Sequence, residues 1–103
     1  MKKKAEKMSQ TLKSLGNSIR LDILEYLCGG ESCVCDIYDH IRIPQNLASH
    51  HLAVLRENDF IKARKDGKWV YYSLNPSRFK EVVDFIGIFS AVKNIKAKSK
   101  CVK

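Results

Sequence analysis

Apolar residues recur along this chain with two different periods, and the change from one to the other divides it into elements. Met8, Leu12 and Leu15 stand at i, i+4 and i+7, the stripe of an amphipathic helix that stops near Gly16. The segment NSIRLDILEYLCGG opens on the capping residues Asn17 and Ser18 and sets Ile19, Ile23, Leu24 and Leu27 on one face. It ends at Gly29-Gly30, which predicts a second helix. CVCDIYDHIRI predicts a short third helix with Val34, Ile37 and Ile41 inward, ended by Pro44, whose ring disfavours helix at Ile43. QNLASHHLAVLREND predicts a fourth, with Ala48, Leu52 and Leu55 inward.

The period then shortens. FIKARK and KWVYYSL are β-rich runs joined around Asp66-Gly67, a strong hairpin signal. Asn75-Pro76 starts a last helix, with a cap followed by proline at the first position. That helix carries Phe79, Val82, Val83, Phe85, Ile86 and Phe89, so apolar residues cover more than one of its faces. On a small domain this predicts burial against a partner chain. The order is α-α-α-α-β-β-α, an α+β but mostly helical fold. A short helix, a tight turn, a second helix and a twisted hairpin make the winged helix-turn-helix arrangement.

Length adds that this is one domain, residues 1–103, with lysine-rich tails at 1–7 and 93–103. No apolar run approaches the roughly 20 residues of a membrane span, and MKKKAEKMSQ lacks an apolar signal core. The cytoplasm is therefore the expected location, where thiols stay reduced. Four cysteines in that setting suggest metal or redox chemistry before structural disulfides.

The net charge of +8 gains meaning once it is located. Residues 21–41 hold Asp22, Glu25, Glu31, Asp36 and Asp39 with no lysine or arginine. Residues 42–80 hold eight basic residues against Glu57, Asp59 and Asp66. A basic segment beside an acidic, cysteine-bearing one points to a polyanion-binding face and a separate cation-sensing face. The plainer alternative is solvated surface charge with frayed lysine ends. The fourth helix discriminates between them. Opposite its apolar stripe lie Asn46, Ser49, His50 and Ala53, with Gln45 at the exposed start. These short polar groups suit base edges, and Asn or Gln can pair bidentately with adenine. An ordinary solvated face would be rich in Glu and Lys, and this one has neither before Glu57. Arg64, Lys65 and Lys68 crowd the hairpin tip, where they can straddle phosphates or enter a minor groove. His51 lies beside the buried stripe and is expected to be structural. DNA binding is the favoured reading, and no nucleophile–base pair stands out to suggest an enzyme.

QNLASHHLAVLREN followed by ARKDGKWVYYSLNP resembles the ArsR/SmtB family of metal- and metalloid-responsive repressors, over roughly residues 8–90. CVCD resembles the sensor motif of its arsenic and cadmium/lead members. The resemblance implies a homodimer paired through the first and last helices, seated on a palindromic operator in double-stranded DNA and leaving it when inducer binds. It places Gln45, Asn46, Ser49 and His50 in the recognition helix, and Arg64, Lys65 and Lys68 in the wing.

The paired thiols carry the sensing chemistry. Thiolates select soft ions such as zinc, cadmium, lead and trivalent arsenic. A helix start lowers a cysteine pKa, while Asp36 opposes that. Residues i and i+2 of a helix point about 200° apart. Cys33 and Cys35 can therefore share an ion only if Cys33 lies at or before the cap, or if the first turn deforms. The chain also departs from the family. The arsenic repressors it resembles carry a further cysteine where this sequence has Tyr38, and the cadmium/lead members add cysteines from an N-terminal arm, whereas residues 1–10 here contain no cysteine. Cys28 or Cys101 are the candidates to complete the site. Their plainer readings are a small buried hydrophobe and a bystander in the tail. No histidine lies between Pro76 and Lys96, so the zinc site some relatives build on the last helix is not expected. A three-thiolate site suits arsenite or antimonite, and a four-thiolate site suits cadmium, lead or zinc. The likeness of the wing favours arsenite. A disulfide- or persulfide-based switch is the rival reading of the same fold.

Overall fold

The computed structural model describes residues 2–93; Cys101 and the lysines beyond Lys93 lie outside that range. The elements are α1 (Lys2–Leu15), α2 (Ser18–Leu27), β1 (Ser32–Cys33), α3 (Val34–Ile41), α4 (Gln45–Glu57), β2 (Ile61–Asp66), β3 (Trp69–Leu74) and α5 (Pro76–Ser90). The winged helix-turn-helix expectation holds, with one strand added and with Lys2–Lys7 inside the first helix.

Local chemistry sets the boundaries. The Asn17 carboxamide oxygen accepts from the Ile19 and Arg20 amides at 2.9 and 3.1 Å, capping α2. α3 starts one residue later than its apolar pattern implied, because Cys33 is extended (φ −78°, ψ 161°) and committed to β1. It stops at Ile41, where Arg42 turns left-handed at φ 64° and its amide reaches the Tyr38 carbonyl at 2.8 Å. Pro44 then caps α4 with its backbone alone. Gly67 supplies the positive φ of 63° that the two-residue hairpin turn requires.

The core forms where α2, α3, α4 and β2 meet. Ile23, Leu27, Ile37, Leu52, Leu55 and Phe60 are buried, with Phe79 of α5 packed 4.8 Å from the Phe60 ring. Each such side chain withdraws apolar surface worth about 1.5–3 kcal/mol. Three polar residues share the interior, namely Thr11, Ser14 and His51. Arg78 makes room for Thr11: its guanidinium donates to Thr11 Oγ1 at 2.7 Å and to the Asn58 carbonyl at 2.9 Å. One cation of the basic segment is thus spent tying α1, the end of α4 and α5 together. His51 accepts at Nδ1 from Arg20 Nε at 3.0 Å, which satisfies it inside the core.

The sheet is antiparallel with order β1-β3-β2. Cys33 pairs with Tyr71, and Tyr71 with Arg64, so sensor motif and wing share one row of the ladder. No described helix is long and apolar enough to cross a membrane.

Candidate nucleic-acid interface and metal centre

α4 is sorted by its own periodicity. Ala48, His51, Leu52 and Leu55 face the core, and that rotation leaves Gln45, Asn46, Ser49, His50 and Ala53 exposed on the other side. No side chain caps its N-terminus. The Leu47 and Ala48 amides instead donate to the Pro44 carbonyl at 3.1 and 3.0 Å, and the positive end of the helix dipole lies beside the exposed Gln45 and Asn46. At the hairpin tip Lys65 and Lys68 are exposed, with Lys68 Nζ 5.8 Å from the Trp69 ring centroid. Arg64 behaves differently from those two lysines. Its Nη2 and Nε donate to the two Glu31 oxygens at 2.8 and 3.0 Å, and its guanidinium lies 4.8 Å from the Tyr71 ring centroid. The hydrogen bonds from Arg64, with its charge adding to them against an opposing effect of desolvation, hold the Glu31 carboxyl below the usual range. Sequence reading treated Glu31 as bulk acidity, because a pairing 33 residues away leaves no local signal.

The two motif thiols converge. Cys33, at the cap, and Cys35, in the first turn of α3, bring their sulfurs to 2.6 Å. The position of Cys33 before the helix supplies the first of the two geometries that sharing an ion requires. Asp36 joins them: one ligand atom from each of Cys33, Cys35 and Asp36 falls within 4.8 Å of the others. The neighbouring Cys33 sulfur raises the Cys35 pKa, with burial and the Asp36 carboxylate adding to it. The lowering expected from a helix start is outweighed by these neighbours. Sequence reading counted Asp36 only as an opposing charge; its place next to Cys35 was the available clue that it could also be a donor. Cys28 is not part of this cluster. It is exposed at the C-cap of α2 and lines an open apolar pocket with Leu21, Leu24, Leu74, Pro76 and Phe79, so it is not the buried hydrophobe of its plainer reading.

A two-helix reader whose second helix bares short polar side chains, followed by a basic hairpin, defines a winged helix-turn-helix DNA-binding regulator. Comparison with known proteins narrows the class. The model of the bacterial regulatory protein arsR family matches residues 17–63, from the cap of α2 into β2. The arsenical resistance operon repressor of Staphylococcus aureus is 35% identical over 85 residues, covering 82% of this chain and 82% of that protein. A crystal structure described as a possible transcriptional regulator for arsenical resistance superposes with TM-score 0.73 at 26% identity, covering 81% of this chain and 86% of that one. The solution structure of a homodimeric winged helix-turn-helix domain from Mycobacterium bovis gives TM-score 0.66 at 26% identity, over 84% and 77% of the two chains. This chain belongs to the ArsR family, whose members are DNA-binding transcriptional regulators and not enzymes.

Proposed function

We propose that this ArsR-family repressor binds operator DNA as a homodimer and is released when Cys33 and Cys35 close on arsenite or antimonite. The observation that carries the reading is the convergence of the two sulfurs at the junction of the sheet and the helix preceding the recognition helix. A relative 35% identical to this chain over 82% of its length is named an arsenical resistance operon repressor. A reducing cytoplasm would keep these thiols available.

Recognition divides by chemistry. Gln45, Asn46, Ser49 and His50 read base edges in the major groove, while Lys65 and Lys68 neutralise phosphate beside it and Arg64 contributes from the wing. The dimer pairs through α1 and α5. Its support is the unpartnered apolar surface of α5, where Val83, Ile86, Ile88 and Phe89 are exposed. Release follows from position. Two thiolates about 2.3 Å from one ion at a tetrahedral angle stand roughly 3.8 Å apart, so Cys33 must shift away from Cys35 when an ion enters, and Cys33 is both the cap of α3 and a ladder partner of Tyr71. Distortion there moves α3, and α4 follows because only Arg42, Ile43 and Pro44 separate the two helices.

The Asp36 carboxylate within the cluster favours a second reading, in which two sulfurs and an oxygen hold cadmium, lead or zinc. Cys28 sits apart from the cluster, and Cys101 lies outside the described residues. The test compares the wild type with Cys33→Ser/Cys35→Ser on DNA from upstream of its own gene. Both proteins should bind, and arsenite should release only the wild type. A double variant released as readily as the wild type would contradict the proposal.

A further inference from the structure

The Glu31–Arg64 pair is the longest-range ionic contact among the described residues, and it joins two parts that the proposed function needs to communicate. Glu31 immediately precedes β1 and stands two residues before Cys33. Arg64 sits on β2, at the base of the wing tip. The ladder explains how they meet. Cys33, Tyr71 and Arg64 form one row across β1, β3 and β2, and directly opposed residues project to the same face. Alternation along the extended chain returns Glu31 to that face as well. The Arg64 guanidinium thus crosses the central strand, over the Tyr71 ring, to grip a carboxylate on the far edge.

We propose that Glu31 is a positioning residue that transmits the state of the Cys33–Cys35 pair to the wing by holding Arg64 across the sheet. The inference rests on the thiol-responsive function proposed above. The pair is exposed, with side chains 54% and 36% accessible, so it adds little to stability. Its two parallel hydrogen bonds instead fix direction, which a single contact would not. β1 is only two residues long and pairs on one side only, so it is the strand of this sheet that shifts at least cost. When an ion enters between the sulfurs and parts them from 2.6 Å to the roughly 3.8 Å that two thiolates on one tetrahedral ion require, Cys33 shifts, and β1 shifts with it and carries the Glu31 carboxylate along. Arg64 is drawn off its line, and the wing loses its set against the phosphates. The recognition helix and the wing are then disengaged together, by one movement of Cys33.

The experiment uses the full chain and four proteins: wild type, Glu31→Gln, Arg64→Gln and the double variant. Ligation of arsenite, and of cadmium in parallel, is read from thiolate charge-transfer absorbance. Operator affinity with and without the ion is read from fluorescence anisotropy. Glu31→Gln should ligate as the wild type does and keep DNA affinity close to it, while the ratio of affinities without and with ion falls at least about fivefold, the low end of ordinary allosteric coupling. Arg64→Gln should lose the same coupling, and adding Glu31→Gln to it should change the ratio no further. Wild-type coupling in Glu31→Gln would overturn the inference while leaving the thiol-responsive function intact. A further loss in the double variant would overturn it too, since Glu31 would then act by another route. A wild type that ligates the ion yet stays on DNA would overturn both.

Discussion

Truncating Phe89 gives the sharpest test of how this chain assembles. Phe89 lies in the last turn of α5, 64% exposed, edge-on to Phe85 at 5.6 Å and outside the apolar cluster of the domain. A phenylalanine carries about 200 Å² of surface, so roughly 130 Å² of this ring meets solvent in the monomer. Covering it is worth about 3 kcal/mol at about 25 cal/mol per Å². In the proposed dimer a two-fold axis would repeat the residue, so Phe89→Ala would remove the ring from both sides of the interface. The alanine Cβ and imperfect burial retain part of that, leaving a loss of about 4 kcal/mol per dimer, or roughly a thousandfold in dissociation constant. Sedimentation equilibrium across a concentration series measures it, and far-UV circular dichroism checks that the monomer remains folded, as the absence of core contacts predicts. A folded Phe89→Ala protein that dimerises as tightly as wild type would refute the assignment of α5 to the interface.

Other consequences follow from single groups. Lys68→Gln removes one exposed wing charge from each protomer, so the slope of log K on log salt should become shallower by up to about 1.8 per dimer; an unchanged slope would remove Lys68 from the phosphate contacts. Asn17→Ala deletes the α2 cap and should cost about 1 kcal/mol. Thermal melting should report a drop of roughly 4–8 °C with dimer–DNA affinity preserved. Burial holds the His51 pKa below its ordinary value, with the Arg20 charge and His50 adding to the effect. The unfolded chain then binds a proton near pH 6.5 that the folded state resists, so stability should fall as pH drops from about 7 to about 5. His51→Gln should flatten that decline, and a variant with the wild-type slope would show the titration lies elsewhere.

Much of this architecture is legible because its signals are local. The i, i+4 stripes, the Asn17 cap, Pro76 at the start of α5 and the Asp66-Gly67 turn each act within a few residues of themselves. The stripe of α4 likewise decides which of its side chains face outward. β1 escaped notice because two residues have no period, and its existence depends on Tyr71 and Tyr72 some forty positions away. Thr11 and Ser14 lie outside the Met8, Leu12, Leu15 stripe and are nonetheless buried, since Thr11 Oγ1 and Ser14 Oγ bond back to carbonyls of their own helix at 3.1 and 2.6 Å and Arg78 arrives from α5. Charge counting grouped Arg64, Arg78 and the wing lysines as one basic segment. Folding sends them to different duties: Arg78 to the core edge, Arg64 to Glu31, and Lys65 and Lys68 to the exposed tip. The convergence of Asp36 with the thiols depends on where the first turn of α3 begins, which is settled by the sheet and not by the motif.

In the proposed function, ligation at Cys33 and Cys35 and departure from DNA are one event. That is tested most directly by titrating reduced protein, bound to labelled DNA from upstream of its own gene, with arsenite at fixed salt. Thiolate absorbance and fluorescence anisotropy are recorded from the same cuvette. Absorbance should rise and anisotropy fall together, both ending near one equivalent per protomer. Absorbance that saturates while the protein stays on its DNA would contradict the proposed function.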